Sequence, residues 1–126
     1  MSYKILIVDD SKLARMSVAK VLNGLQPGWT RLEAANADEA VAMVKAEKPD
    51  IVLLDFNMPG RDGLQLAAEL KAIEPGMPLA VISANIQDEI IARSHAVGAA
   101  FLPKPLTEPV LADFLAGAQA RLKSIP

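Results

Sequence analysis

Five side chains have the right types to do chemistry together: Asp9, Asp10, Asp55, Ser83 and Lys104. Each stands where an apolar run stops. Asp9-Asp10 follow residues 3–8, Asp55 follows residues 51–54, Ser83 closes residues 78–83, and Lys104 follows residues 99–102 across Pro103. Three carboxylates brought together repel, so such a cluster must keep a proton or hold a cation. Oxygen ligands without His or Cys suit Mg²⁺, a hard ion that keeps several waters and shares its shell with phosphate. A hydroxyl can donate to an anion, and a lysine supplies a mobile point charge for phosphate. The set fits a phosphoryl group carried on a carboxylate oxygen. Asp55 is the candidate nucleophile, because carboxylates form aspartyl phosphates. Mg²⁺ and Lys104 would stabilise charge on the transferring group.

That chemistry requires all five residues at one edge of the molecule. Residues 51–54 are four apolar residues in a row that end in a charge, the mark of a strand buried on both faces. Residues 3–8 read the same way, and further strands are expected at 30–35, 78–83 and 99–102. Helices fill the intervals. Ser11 can cap the first, whose Ala14, Val18, Val21, Leu22 and Leu25 share one face. Asn23-Gly24 and Pro27-Gly28 are expected to end it. Asn36 with Glu39 suggests a variant capping box for a second helix that turns Ala37, Ala40, Val41 and Val44 inward. Met58-Pro59-Gly60 reads as a turn. A third helix after Gly63 carries Leu66, Leu70 and Ile73 inward and closes at Pro75-Gly76. A fourth spans about 86 to 97, with Asp88 and Glu89 at the end that favours negative charge. Its apolar face is the least continuous. Thr107 can cap a last helix that buries Leu111, Phe114, Leu115, Ala118 and Leu122.

Five alternations of strand and helix imply a parallel sheet covered on both sides, with right-handed crossovers. The expected fold is a three-layer α/β sandwich around a doubly wound, five-stranded parallel sheet of order 2-1-3-4-5, flavodoxin-like. In that order the first and third strands are neighbours at the switch point, where ligands bind, so Asp9, Asp10 and Asp55 meet in one crevice.

Composition narrows the function classes. The 126 residues fit one domain, and 52% apolar with 22% charged residues is globular, not disordered. Thirteen basic residues against fifteen acidic ones give a charge of −2, with no electrostatic footprint for nucleic acid or an anionic membrane. The absence of Cys excludes disulfides, zinc-thiolate sites and thiol catalysis. No apolar run is long enough to span a bilayer, and the N-terminus does not read as a signal peptide, so a cytoplasmic location is expected.

With these residues in place, the sequence resembles a response-regulator receiver domain of the stand-alone, chemotaxis-regulator type. The resemblance runs from about residue 4 to 122 and is read as a single receiver domain over residues 1–126. It rests on Asp9-Asp10, on Asp55 within LLDFNMPGRDG, on Ser83-Ala84 and on Lys104-Pro105. It implies that Asp55 accepts a phosphoryl group from the phosphohistidine of a histidine kinase or phosphotransfer protein. Asp10 and Asp55 would ligate Mg²⁺ directly, the Asn57 carbonyl would add a ligand, and Asp9 would act largely through water. Ser83 and Lys104 would hold the phosphoryl oxygens. Phe101 matches the family's aromatic switch position, and the Lys104-Pro105 peptide would be cis. Asn57 and Asn85 stand where the family tunes phosphate lifetime. The output implied is a contact of the fourth-helix, fifth-strand and fifth-helix face with a downstream protein target, by a monomer or weak dimer.

Taken singly, each of these residues has an ordinary explanation: Asp as a cap, Ser83 as a turn residue, Lys104 as a solvated charge, Phe101 as core. Their order and spacing carry the reading. Two others compete with it. A haloacid-dehalogenase-like phosphatase also places a nucleophilic Asp after a buried strand, often with an acid two residues on; here that position is Asn57. A receiver-like scaffold that is never phosphorylated would not need all the acids, the hydroxyl and the lysine. His95 and Trp29 have no expected role.

Overall fold

A computed structural model of the chain describes residues 2–58 and 62–124. The Pro59-Gly60 turn expected after Asp55 lies outside the described residues. Ten elements alternate: β1 (Lys4–Val8), α1 (Lys12–Leu25), β2 (Thr30–Ala34), α2 (Ala37–Glu47), β3 (Ile51–Asp55), α3 (Gly63–Ile73), β4 (Leu79–Ser83), α4 (Asp88–Ala96), β5 (Ala100–Pro103) and α5 (Glu108–Ser124). The strands form one parallel sheet in the order β2-β1-β3-β4-β5, as the alternation predicts.

Alternate residues along the strands serve two cores. Leu6, Val8, Val52, Leu54, Leu79 and Val81 pack with Ala40 and Val44 of α2 and Leu66 and Leu70 of α3. Ile5, Ile7, Ile51, Leu53, Ala80 and Ile82 pack with Val18 and Leu22 of α1 and Leu111 and Leu115 of α5. Both faces of the sheet are thus dry, which is why β3 and β4 are buried at every position. Each such Leu or Ile contributes about 1.5–3 kcal/mol by burial. A charge can be accommodated only where a strand leaves the sheet.

Register makes those exits level. Val8 pairs with Leu54, so Asp9 comes beside Asp55, and Ser83 pairs with Pro103, so Lys104 comes next to Ser83. Phe56 N–H donates to the Ile82 carbonyl at 2.9 Å, and Lys104 N–H to the Ser83 carbonyl at 3.0 Å, extending the ladders past the strands.

Local signals differ from the sequence reading in four places. Asn23-Gly24 does not end α1, which continues to Leu25. Gly24 lies inside the helix, where a Cβ would meet the end of the Glu108 side chain at 3.1 Å. At α2, Asn36 caps the Glu39 N–H as expected, but the Glu39 carboxylate accepts from Ala35 N–H, one residue earlier than a capping box requires. The start of α4 is Asp88, not 86. Asn85 N–H is taken by the Ser83 hydroxyl oxygen and Gln87 N–H by the Asn85 side chain, and these turns hold the chain out of the helix. Gln87 gives α4 no side-chain cap, and only Ile90 and Ser94 of the helix are buried. Finally, Asp62 and Gln65 form a full capping box at α3, which the sequence reading did not single out.

The third helix also explains Gly63. Its N–H donates to the Phe56 carbonyl at 2.7 Å, folding the chain back onto the end of β3. A Cβ at this position would lie 2.6 Å from Phe56 Cα and 2.8 Å from the Asp55 carbonyl oxygen. Both are backbone atoms and cannot swing aside. Gly63→Ala should therefore cost about 1–3 kcal/mol through overpacking, read as a fall of several degrees in Tm. Gly28→Ala, with open space around the new carbon, should leave Tm nearly unchanged in the same thermal melts.

Candidate functional site

The sheet edge formed by the strand exits gathers every residue of the expected constellation except Phe101 and Asn57, which flank it. Asp9 and Asp55 are buried at 5% exposure each, and Ser83 is fully buried. Asp10 is exposed. One carboxylate oxygen from each of Asp9, Asp10 and Asp55 can be chosen so that all lie within 4.8 Å of one another, a cluster that can hold a metal ion. Lys104 Nζ lies 2.7 Å from Asp55 Oδ1. That oxygen is buried and accepts no hydrogen bond of proper alignment among the described residues, so the contact is a pairing of charges. The Lys104-Pro105 peptide is cis.

Asp9 is held by its surroundings. Its Oδ1 accepts from Ser11 N–H at 2.9 Å, and its own N–H donates to the Ala34 carbonyl at 3.1 Å. Burial raises its pKa above the usual carboxylate value. The Asp55 charge and the neighbouring Asp10 carboxyl push the same way, against the opposing Ser11 N–H and Lys104 charge. The sign follows. A carboxyl that binds its proton more tightly folded than unfolded costs stability as pH rises from its unfolded to its folded pKa, and the cost is fully present above the folded value. Asp9→Asn keeps an oxygen for the Ser11 N–H and removes the charge. In chelator at neutral pH it should raise Tm by a few degrees over the wild type. The gain should shrink on acidification to below the ordinary carboxylate range. Paired thermal melts across pH check this, and a variant that is less stable at neutral pH would contradict it.

Ser83 Oγ accepts from Asn85 N–H at 3.0 Å, which leaves its hydrogen free to be donated. Asn57, two residues beyond β3, and Asn85 are exposed. Phe101 is half-buried on β5, in register with Val81. Beside Asp55 an apolar cavity of about 470 Å³ opens between Ala14, Ser17 and Val18 of α1 and Pro105 and Leu106 after β5. Leu13 and Met16 of α1 are exposed by 76% and 56%, as is Ile86 by 65% in the segment after β4.

Two residues at the site escaped the sequence reading. Arg15 reaches back to the Asp9 carbonyl, and Asp62 caps the helix that follows the Asp55 loop. The Asp62-to-Gln65 spacing was a legible signal. Nothing comparable marks Arg15, beyond a basic residue one helical turn past Ser11.

Residues 5–116 match the family described as the response regulator receiver domain. Among curated relatives, the positive alginate biosynthesis regulatory protein of Pseudomonas aeruginosa is 44% identical over 114 residues, covering 88% of this chain and 45% of that protein. Sporulation initiation phosphotransferase F of Bacillus subtilis is 35% identical, covering 79% of this chain and 78% of that protein. The chemotaxis protein CheY of Halobacterium salinarum is 32% identical, covering 90% and 93%. This chain thus spans less than half of the first of these and most of the other two. Among solved structures, the chemotaxis protein CheY4 of Vibrio cholerae superposes with a TM-score of 0.83 at 26% identity, covering 94% of this chain and 99% of that one. A CheY-like receiver domain protein from Methanospirillum hungatei gives a TM-score of 0.86 at 26% identity, covering 98% of each. Such domains are switches phosphorylated on an aspartate, generally bind Mg²⁺ in an acidic pocket, and interact with histidine kinases or phosphotransfer proteins and with downstream targets. No helix among the described residues is long and apolar enough to cross a membrane. With a matching sequence pattern, sheet order and acidic strand-end cluster, this chain belongs to the response regulator receiver domain family.

Proposed function

We propose that the chain is a single phosphoacceptor switch in which Asp55 receives a phosphoryl group from a phosphohistidine donor. One observation carries the reading. Among the described residues, the buried Asp55 carboxylate is paired with Lys104 at 2.7 Å and lies within 4.8 Å of carboxylate oxygens of Asp9 and Asp10. A carboxylate oxygen of Asp55 attacks phosphorus, the phosphorus–nitrogen bond breaks, and the imidazole leaves with the electron pair and takes up a proton. Lys104, now on Asp55 Oδ1, turns to the phosphoryl oxygens, and the free hydrogen of Ser83 is donated to one of them. Asp9, Asp10 and Asp55, with the Asn57 carbonyl, are the hard oxygen set that would hold Mg²⁺. The mutual repulsion of three clustered carboxylates fits a cation there. When bound, Mg²⁺ supplies positive charge that offsets the acids and the phosphoryl oxygens.

Exposed Leu13 and Met16, on the helix that starts just after Asp10, and the open cavity beside Asp55 support a protein donor docking over this edge. On the output side, a phosphate adds about −1.5 to −2 charges and three acceptors. Ser83 moves toward it, Phe101 fills the vacated space, and the face of α4, β5 and α5 changes for a downstream protein. Helix α4 supports this with its missing side-chain cap and its two buried residues. Moving the switch from ~1:99 to ~99:1 requires about 5.5 kcal/mol, which phosphate and partner can share. The phosphatase reading lacks its second acid, because Asn57 occupies that position.

Intact-mass spectrometry after incubation with acetyl phosphate and MgCl₂ tests the reading. One added phosphoryl mass that disappears with chelator is expected. Its absence in folded protein, without phosphate release, would overturn the reading in favour of a scaffold. Sustained phosphate release from simple phosphomonoesters would favour the phosphatase.

A further inference from the structure

Arg15 is a half-buried cation anchored beside the acidic cluster by two specific hydrogen bonds. It stands beside an acidic loop that must attract a divalent ion, and its side chain is only 14% exposed. Its Nη1 donates to the Asp9 carbonyl at 2.6 Å, and its Nε to Glu33 Oε1 on β2 at 2.9 Å. Its own N–H is fixed by the Ser11 carbonyl at 3.0 Å, in the first turn of α1. The guanidinium fork therefore spans three elements: α1, β2 and the turn between β1 and α1. The planar fork is pre-organised for two such bonds, whereas an ammonium is not.

The atom that Arg15 holds matters. The Asp9 carbonyl belongs to the peptide that joins Asp9 to Asp10. A peptide is planar, so holding its oxygen restrains the plane and, with it, the backbone from which both residues project their carboxylates. The Asp9 N–H is already tied to Ala34 and its Oδ1 to Ser11 N–H. The carbonyl is the remaining handle, and it accepts from Arg15.

Resting on the phosphoacceptor reading of this site, we infer that Arg15, steadied by Glu33, is a positioning residue that sets the divalent-cation affinity of the acidic pair. Outer-shell partners of metal ligands typically act at this level, and their loss weakens binding about 10–100-fold. Simple charge arithmetic has the opposite sign: removing a nearby positive charge should tighten binding of a cation. The two explanations therefore separate cleanly.

The test is titration of the ¹⁵N-labelled chain with MgCl₂ alone, following backbone amide shifts, for wild type, Arg15→Met and Arg15→Lys. The same spectra report whether each variant is folded. Positioning predicts a Kd for Mg²⁺ raised about 10-fold or more in Arg15→Met. It predicts a loss in Arg15→Lys too, since lysine keeps the charge but cannot hold the carbonyl and Glu33 together. Wild-type affinity in Arg15→Lys together with tighter binding in Arg15→Met would overturn the inference and leave the pocket reading intact. If the wild type itself shows no Mg²⁺-dependent shifts near Asp9, Asp10 and Asp55, the cation reading of the pocket falls and this inference with it. Should Arg15→Met not fold, Arg15→Lys decides alone: weaker binding supports positioning and unchanged binding refutes it.

Discussion

Asp55→Asn is expected to abolish phosphoryl uptake, lowering the rate by on the order of 10³-fold or more, as removal of a nucleophile does elsewhere. The amide is nearly isosteric, so the buried position at the end of β3 is filled as before. What it loses is the charge and lone-pair reactivity of the oxygen that must bond to phosphorus. Neither neighbouring acid should substitute. Asp9 is committed to the Ser11 N–H, and Asp10 is exposed and has no ion pair to Lys104 among the described residues. Circular dichroism should be unchanged, so the loss belongs to chemistry and not to folding. A variant that still gains a phosphoryl mass at the wild-type rate would remove Asp55 from the account.

Lys104→Met should have the next largest effect. Methionine keeps the unbranched shape of the side chain, one atom shorter, and discards the charge that sits 2.7 Å from Asp55 Oδ1. Losing one preorganised group that stabilises developing charge typically costs about 10²–10³ in rate. The fall should appear in the rate at saturating acetyl phosphate more than in its half-saturating concentration, because Lys104 is required most when charge moves onto the phosphoryl oxygens. Lys104→Arg keeps a positive charge on a broader, planar head. It should recover part of the rate, and by disturbing the fit around the phosphoryl oxygens it should weaken the coupling to Ser83. A Lys104→Met protein that phosphorylates normally would confine lysine to a surface ion pair.

Much of this site was legible because the sheet is dry on both faces. Four apolar residues before Asp55 leave a buried parallel strand with a charge at its only tolerable position, its exit. The same logic applied to Asp9, Ser83 and Lys104, and the sheet order then made them neighbours. Contacts between side chains and backbone were not legible. Arg15 is six residues from the carbonyl it holds, a separation that follows from the turn into α1 and from no periodic rule. Gly63 and Gly24 look alike as turn signals, yet one permits a close approach to the backbone after β3 and the other lies within α1 facing Glu108. Only tertiary packing separates those uses. The start of α4 was misplaced for a related reason, since Ser83 and Asn85 compete for N–H groups that helix periodicity alone would assign to the helix.

Under the proposed function, phosphate arrives on Asp55 and on no other carboxylate of the cluster. Brief exposure to acetyl phosphate and MgCl₂, trapping with borohydride and peptide mass spectrometry tests it directly, because reduction converts an aspartyl phosphate to homoserine where it formed. Homoserine at position 55, and none at 9 or 10, is the predicted result. Homoserine at either of those positions, with Asp55 intact, would contradict the account.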